Sequence, residues 1–326
     1  MSEPELHRNT GLDLVRATEA AAMAAARWMG RGYRQEAELA ASQAMSETLA
    51  AIDLDGQIVI CEGGRLRLRS ALPGGKRVGS GQGVPVDVVV DAIDGRRLLA
   101  RGRPGAVAVA AVAPQGSMWA SSAAVYMEKI VVNRVVAPAL VPECITAPAA
   151  WTIGLIARAK GKAIRDLVIF VLERPRHADL ITEIRAAGAR VMLADDGDIS
   201  GAVLASLPDG PVDALMGAGG AAEGVMAACA VKALGGGMLA RLAPQSVEER
   251  MAIVEAGLDL RRTMMCDDLV RSNQIFFVAT GITDGLLLHG VHFEGARATT
   301  NSLILRSETR TRRMIVAEHL VQPETP

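Results

Sequence analysis

Between residues 167 and 234, short apolar runs alternate with stretches of helical period: strands over 167–172, 190–194 and 212–216, helices over 177–187, 199–207 and 221–234. The runs are too short for ordinary helices and rich in Val, Leu and Met, so they read as buried strands. Strict alternation predicts a parallel α/β layer and excludes an all-helical or all-β fold for this part of the chain. Ligands of such sheets gather at the carboxyl ends of the strands. Those ends carry Arg174-Pro175-Arg176-His177, then Asp196-Gly197-Asp198, then Gly217-Ala218-Gly219-Gly220 with Glu223 close behind. Taken alone, Asp198 reads equally well as a helix cap and the two arginines as a solvated pair.

A second stretch ends in acids. Val86-Asp87-Val88-Val89-Val90-Asp91-Ala92-Ile93-Asp94-Gly95-Arg96 reads as a buried strand that delivers two carboxylates, three positions apart, into a glycine turn. Asp91 and Asp94 there suit a hard divalent cation such as Mg2+ or Mn2+. An Asx-type turn closing the strand is the plainer alternative. Upstream, helices are expected over 11–29 and 35–51, and a strand over 57–61 that ends at Glu62. The Gly79, Gly81 and Gly83 series precedes a strand instead of opening a helix, so it is not a dinucleotide fingerprint. Further strands are expected over 106–113 and 128–132, and helices over 146–159 and 247–256. Strands over 274–280, 286–293, 299–305 and 312–317 then read as an antiparallel sheet.

With 326 residues the chain is long enough for one large or two ordinary domains. We expect an α+β domain over 1–150 that carries the candidate metal acids and an α/β domain, with C-terminal antiparallel strands, over 151–326. Aromatic residues make up only 3% and the net charge is -1, which argues against a nucleic-acid surface of basic patches and stacking platforms. Cys61, Cys144, Cys229 and Cys266 lie far apart, with no C-x-x-C and no His at metal spacing, so a cytoplasmic, reducing compartment is expected. No run reaches the roughly 18 apolar residues of a membrane span, and the N-terminal residues lack a signal-peptide apolar region.

The strand-end acids, Tyr126-Met127-Glu128-Lys129, the three loops above and Gly219-Gly220-Ala221-Ala222-Glu223-Gly224 occur in one order along nearly the whole chain. In that order the chain resembles the bacterial class II fructose-1,6-bisphosphatases, within the metal-dependent, lithium-sensitive phosphatase superfamily. The resemblance implies a layered αβαβα sandwich of α/β (α+β) class. It implies hydrolysis of the 1-phosphate of fructose 1,6-bisphosphate in gluconeogenesis, with Mg2+ or Mn2+ as cofactor and a homo-dimer or homo-tetramer as the assembly. Carried over by motif, Glu38, Glu62, Asp91, Asp94 and Glu223 would be metal ligands, with Glu62, Asp91 and Asp94 at the chemistry. Asp94, Gly95, Arg96, Tyr126, Arg174, Pro175, Arg176, Asp196, Gly197, Asp198 and Gly220 would contact the sugar phosphate.

The chain departs from the family signature at the chemistry itself. Arg96 stands where the family has a threonine that orients the attacking water, and Ala92 where it has proline. Glu38 replaces an aspartate and Asp94 a glutamate, and Arg65, Arg67 and Arg69 crowd a loop that is acidic in the family. An arginine has no acceptor and keeps its proton, so it cannot activate water. Two further readings therefore stand beside the first: a catalytically impaired paralogue that binds sugar phosphate or a partner, and a phosphatase for another sugar or inositol phosphate.

Overall fold

A computed structural model describes residues 6–61 and 70–321. In chain order it contains α1 (Thr10–Ala26), α2 (Arg34–Ala50), β1 (Asp55–Cys61), β2 (Arg77–Val78), β3 (Pro85–Asp94), α3 (Arg96–Ala100), β4 (Val107–Pro114) and β5 (Tyr126–Val132). Next come α4 (Ala149–Lys160), β6 (Val168–Leu172), α5 (Ala178–Ala186), β7 (Arg190–Ala194), α6 (Asp198–Ser206), β8 (Ala214–Gly220) and α7 (Ala221–Leu234). The chain continues through β9 (Gly237–Leu242), α8 (Val247–Glu255), β10 (Met264–Met265), α9 (Cys266–Leu269), β11 (Phe276–Gly281), β12 (His292–Glu294), β13 (Arg297–Arg306) and β14 (Thr311–Leu320). Mixed helices and two mixed sheets make this an α/β layered fold. Among the described residues, no helix is long and apolar enough to cross a membrane.

Two compact units divide the chain, one built from Met1–Gly116 and Gln274–Pro326, the other from Ser117–Asn273. The boundary expected at residue 150 thus falls inside the second unit. The C-terminal strands join the first sheet because β11 pairs antiparallel with β4 over Phe276 to Gly281. That pairing spans well over a hundred residues of sequence, and strand periodicity carries no information about it.

The first unit's sheet runs β12-β13-β11-β4-β3-β1-β2, with β14 on β13. Val86, Val88 and Val90 of β3, Ala108, Ala110 and Val112 of β4, and Phe276 and Val278 of β11 share one core with Leu14 and Ala21 of α1 and Ala41, Met45 and Leu49 of α2. Small alanines on α1 let its backbone approach the sheet closely, so a core nearly without rings can still be close-packed. On α2 the buried positions Glu38, Ala41, Ser42, Met45 and Leu49 follow helical spacing. Glu38 therefore lies on the helix's inward stripe.

The second unit's sheet runs β10-β9-β5-β8-β6-β7. Only part of it is the parallel layer that the alternation predicts: β6 is parallel to β7 and to β8. β5 enters antiparallel to both β8 and β9. The strand expected over 286–293 is largely a loop, and only its end forms β12. In that loop Gly285 N–H donates to Leu288 O at 2.9 Å and Gly290 N–H to Asp284 Oδ1 at 2.9 Å, folding the segment on itself instead of along a neighbour.

Candidate active-site residues

In the first unit β3 carries Asp91 and Asp94 to its end. The pairing with β4 slips there, from Asp91 opposite Val109 to Asp94 opposite Val107, so Ala92 and Ile93 form a bulge. Bulges of this kind re-aim side chains at strand ends. Gly95 follows at φ +96°, and a Cβ there would meet Ala106 Cα at 3.1 Å, so only glycine makes the turn without strain. The turn sets Arg96 at the first position of α3.

Arg96 points back to the acids. Its Nη1 donates to Glu38 Oε2 at 3.1 Å and to Asp91 Oδ1 at 3.2 Å. The three side chains are 11%, 6% and 2% exposed, so this is a buried ion triad. Asp91 Oδ1 also accepts the Ile93 N–H at 3.0 Å, which is the Asx turn that the sequence allowed. Asp94 is buried at 5% exposure. Glu62 lies outside the described residues, as do Arg65, Arg67 and Arg69.

Buried carboxylates are the right donors for a hard divalent cation. The Glu38 and Asp91 oxygens do not fit one shared between them, because a single guanidinium nitrogen already stands within hydrogen-bond reach of both. Among the described residues, no three His, Cys, Asp or Glu side chains come together as a metal-holding group.

In the second unit the polar groups gather at the ends of β5, β6, β7 and β8. Lys129, wholly buried on β5, pairs with Asp198 at the first position of α6. Gly197, not Asp198, is the residue before the helix, and the Asp198 carboxylate serves the lysine instead of capping. Arg174 Nη2 meets Asp196 Oδ1 at 3.0 Å. The Arg176 guanidinium donates twice to Ala218 O, at 2.6 and 3.1 Å, and its carbon lies 5.3 Å from the centre of the Tyr126 ring. Pro175 starts the single 3-10 turn that presents both arginines. Behind Tyr126, Glu249 Oε1 accepts the N–H groups of Val125 and Tyr126 at 2.9 and 2.8 Å, fixing the start of β5.

Two of these groups stood inside the quoted motifs but were given no role of their own from sequence. Lys129 carried a signal, a lone cation in the apolar run 127–132, but that pattern does not reveal its partner. His177 is the other: its Nδ1 lies 2.7 Å from Leu172 O, and Ala218 N–H donates to its Nε2 at 2.8 Å. The ring is therefore neutral, with the proton on Nδ1, and it ties the end of β6 to β8. Burial lowers its pKa from the ordinary 6.5, outweighing the opposing hydrogen bond to Leu172 O. A histidine with a lowered folded pKa stabilises fully above its unfolded value and loses that contribution as pH falls below it. The thermal stability of the native chain should thus fall as pH drops below about 6.5, and the dependence should flatten in His177→Asn.

Close packing explains the glycine run in β8. A Cβ at Gly219 would lie 1.9 Å from Asp198 Oδ2 and 2.6 Å from Lys129 Nζ, and one at Gly220 would lie 1.9 Å from Glu223 Oε2. Glu223, buried in the first turn of α7, folds back over Gly220. Gly219→Ala should force the Lys129–Asp198 pair apart and cost about 1–3 kcal/mol, as overpacking does. A shift in unfolding midpoint checks it, and Gly154→Ala, on an open face of α4, is the control.

The fold and these groups define a layered α/β protein with acids at one strand end and basic and acidic loops at others. The sequence model for "Bacterial fructose-1,6-bisphosphatase, glpX-encoded" matches residues 8–319, and the chain belongs to that family. It is 38% identical over 327 residues to "Fructose-1,6-bisphosphatase class 2" of Haemophilus influenzae, covering 96% of this chain and 97% of that protein. It is 36% identical over 334 residues to "Fructose-1,6-bisphosphatase 1 class 2" of Escherichia coli K12, with 98% of each covered. The family is one of metal-dependent phosphatases.

Proposed function

We propose that this chain hydrolyses the 1-phosphate of fructose 1,6-bisphosphate, a phosphoric monoester hydrolase reaction of carbohydrate metabolism. The observation that carries the reading is the family match over residues 8–319. As proposed ligands in the first unit, Asp91, Asp94 and Glu62 would hold Mg2+ or Mn2+, which when bound polarises a phosphoryl oxygen and lowers the pKa of an attacking water; Glu223, in the second unit, is proposed as a metal ligand by the same resemblance. Glu38, whose charge Arg96 already balances, would hold Arg96 beside Asp91. Arg174 and Arg176 have the planar, permanently charged fork that phosphate binding favours. Asp196 orients Arg174, and Tyr126 stacks under Arg176, so both guanidinia are held at defined positions before substrate arrives. Asp198 and Gly197, Gly220 at the start of α7, and Gly95 beside the signature acids are the further proposed sugar-phosphate contacts, with backbone amides at the α7 start suited to anionic oxygen. A cytoplasmic location and a homo-dimer or homo-tetramer complete the proposal.

A substrate panel tests it: phosphate release from fructose 1,6-bisphosphate, sedoheptulose 1,7-bisphosphate and an inositol monophosphate, each with Mg2+, with Mn2+ and with chelator. Release that is metal-dependent and fastest on fructose 1,6-bisphosphate is the expected result. A preference for the inositol ester would overturn the substrate assignment.

A further inference from the structure

Two buried carboxylates placed side by side repel one another unless a cation balances them. At Glu38 and Asp91 that cation is already part of the chain. Arg96 Nη1 reaches Glu38 Oε2 at 3.1 Å and Asp91 Oδ1 at 3.2 Å from a side chain only 11% exposed. A guanidinium keeps its proton at every working pH, and no chelator removes it. The backbone is arranged to put it there: the bulge at Ala92 and Ile93 and the left-handed turn at Gly95 return residue 96 toward the strand end that carries Asp91. A threonine at this position would be uncharged and several bonds too short to reach either acid, leaving the pair to be balanced by an ion from solution.

We propose that Arg96 is a fixed substitute for a divalent cation at Glu38 and Asp91, so that the native chain binds one divalent ion fewer than the same chain with threonine at position 96. The inference rests on the proposed metal-dependent reading of this site and deepens it. It makes Arg96 a positioning residue that holds Glu38 and Asp91 in place, and not the group that activates water.

The test counts ions. Free Mn2+ is followed by electron paramagnetic resonance during titration of the native chain, Arg96→Thr and Arg96→Lys, and thermal unfolding of each is measured with and without Mn2+. Arg96→Thr is expected to bind one more Mn2+ per chain and to gain more thermal stability from Mn2+ than the native protein does. Arg96→Lys, which keeps the charge, should keep the native count. Equal counts in the native chain and a folded Arg96→Thr would overturn the proposal. Should Arg96→Thr fold only with Mn2+ present, that supports it. Should it fold under neither condition, Glu38→Gln decides: an unchanged native count supports Arg96 as the partner of Glu38, and a count lower by one overturns it.

Phosphate release by the native chain is scored separately. A native chain that releases no phosphate while the counts differ as expected would refute the proposed reaction and not the role of Arg96. Release by the native chain with equal counts would do the reverse.

Discussion

Replacing Asp91 with Asn is expected to lower metal-dependent phosphate release by about a thousandfold, equivalent to about 4 kcal/mol of transition-state stabilisation. The substitution removes a charge and little else. An asparagine Oδ1 still accepts the Ile93 N–H that closes the turn, a bond of 3.0 Å in the native chain. Arg96 keeps Glu38 as its partner at 3.1 Å. The fold should therefore survive, with an unfolding midpoint close to that of the native protein, while the acid at the end of β3 no longer attracts a cation. Steady-state kinetics beside a thermal melt separates these effects. A folded Asp91→Asn chain with native activity would remove Asp91 from the site.

The second large effect concerns stability. Lys129→Met should destabilise the second unit by about 3–5 kcal/mol, because it leaves the Asp198 carboxylate buried without the cation that balances it. Native Lys129 has no exposed side-chain surface and that of Asp198 is 8% exposed, so water cannot take over. The double variant Lys129→Met with Asp198→Leu should recover most of the loss, since an apolar pair of similar volume carries no unmatched charge. Unfolding of the two single variants and the double variant, run as a cycle, measures the coupling. A coupling near zero would mean that the pair contributes position without stability.

Local order was legible where it repeats. The strand and helix alternation after residue 167 located β6, α5, β7, α6, β8 and α7 within a few residues, because each element has its own period and its own stop signal. Sheet membership was not legible. β8 and β9 flank β5 antiparallel, and β11 to β14 cross to the first sheet, through hydrogen bonds between segments far apart in sequence. β9 itself escaped notice, since its short run opens on Gly237, the last of three consecutive glycines.

At the candidate site, residue types were readable but their partners were not. The strand-end acids Asp91 and Asp94 stood out from the apolar run before them. Glu38 looked like one acid among several on a polar helix, and only the stripe of Ala37, Ala41, Met45 and Leu49 shows that it faces inward. Arg96 was visible as a departure from the family signature. That its guanidinium bridges two of the acids depends on a bulge and a left-handed glycine, which no spacing rule encodes. Lys129 and His177 belong to the same class: each completes a contact whose other half lies more than forty residues away.

The most direct test of the central claim is phosphorus NMR of fructose 1,6-bisphosphate incubated with the native chain and Mg2+ or Mn2+, with a chelator-treated sample beside it. The account predicts loss of the signal from the phosphate on carbon 1, with matching growth of inorganic phosphate and of fructose 6-phosphate, and no change in the chelated sample. Persistence of both ester signals with a folded, metal-supplied protein would contradict it, and so would loss of the phosphate on carbon 6 first.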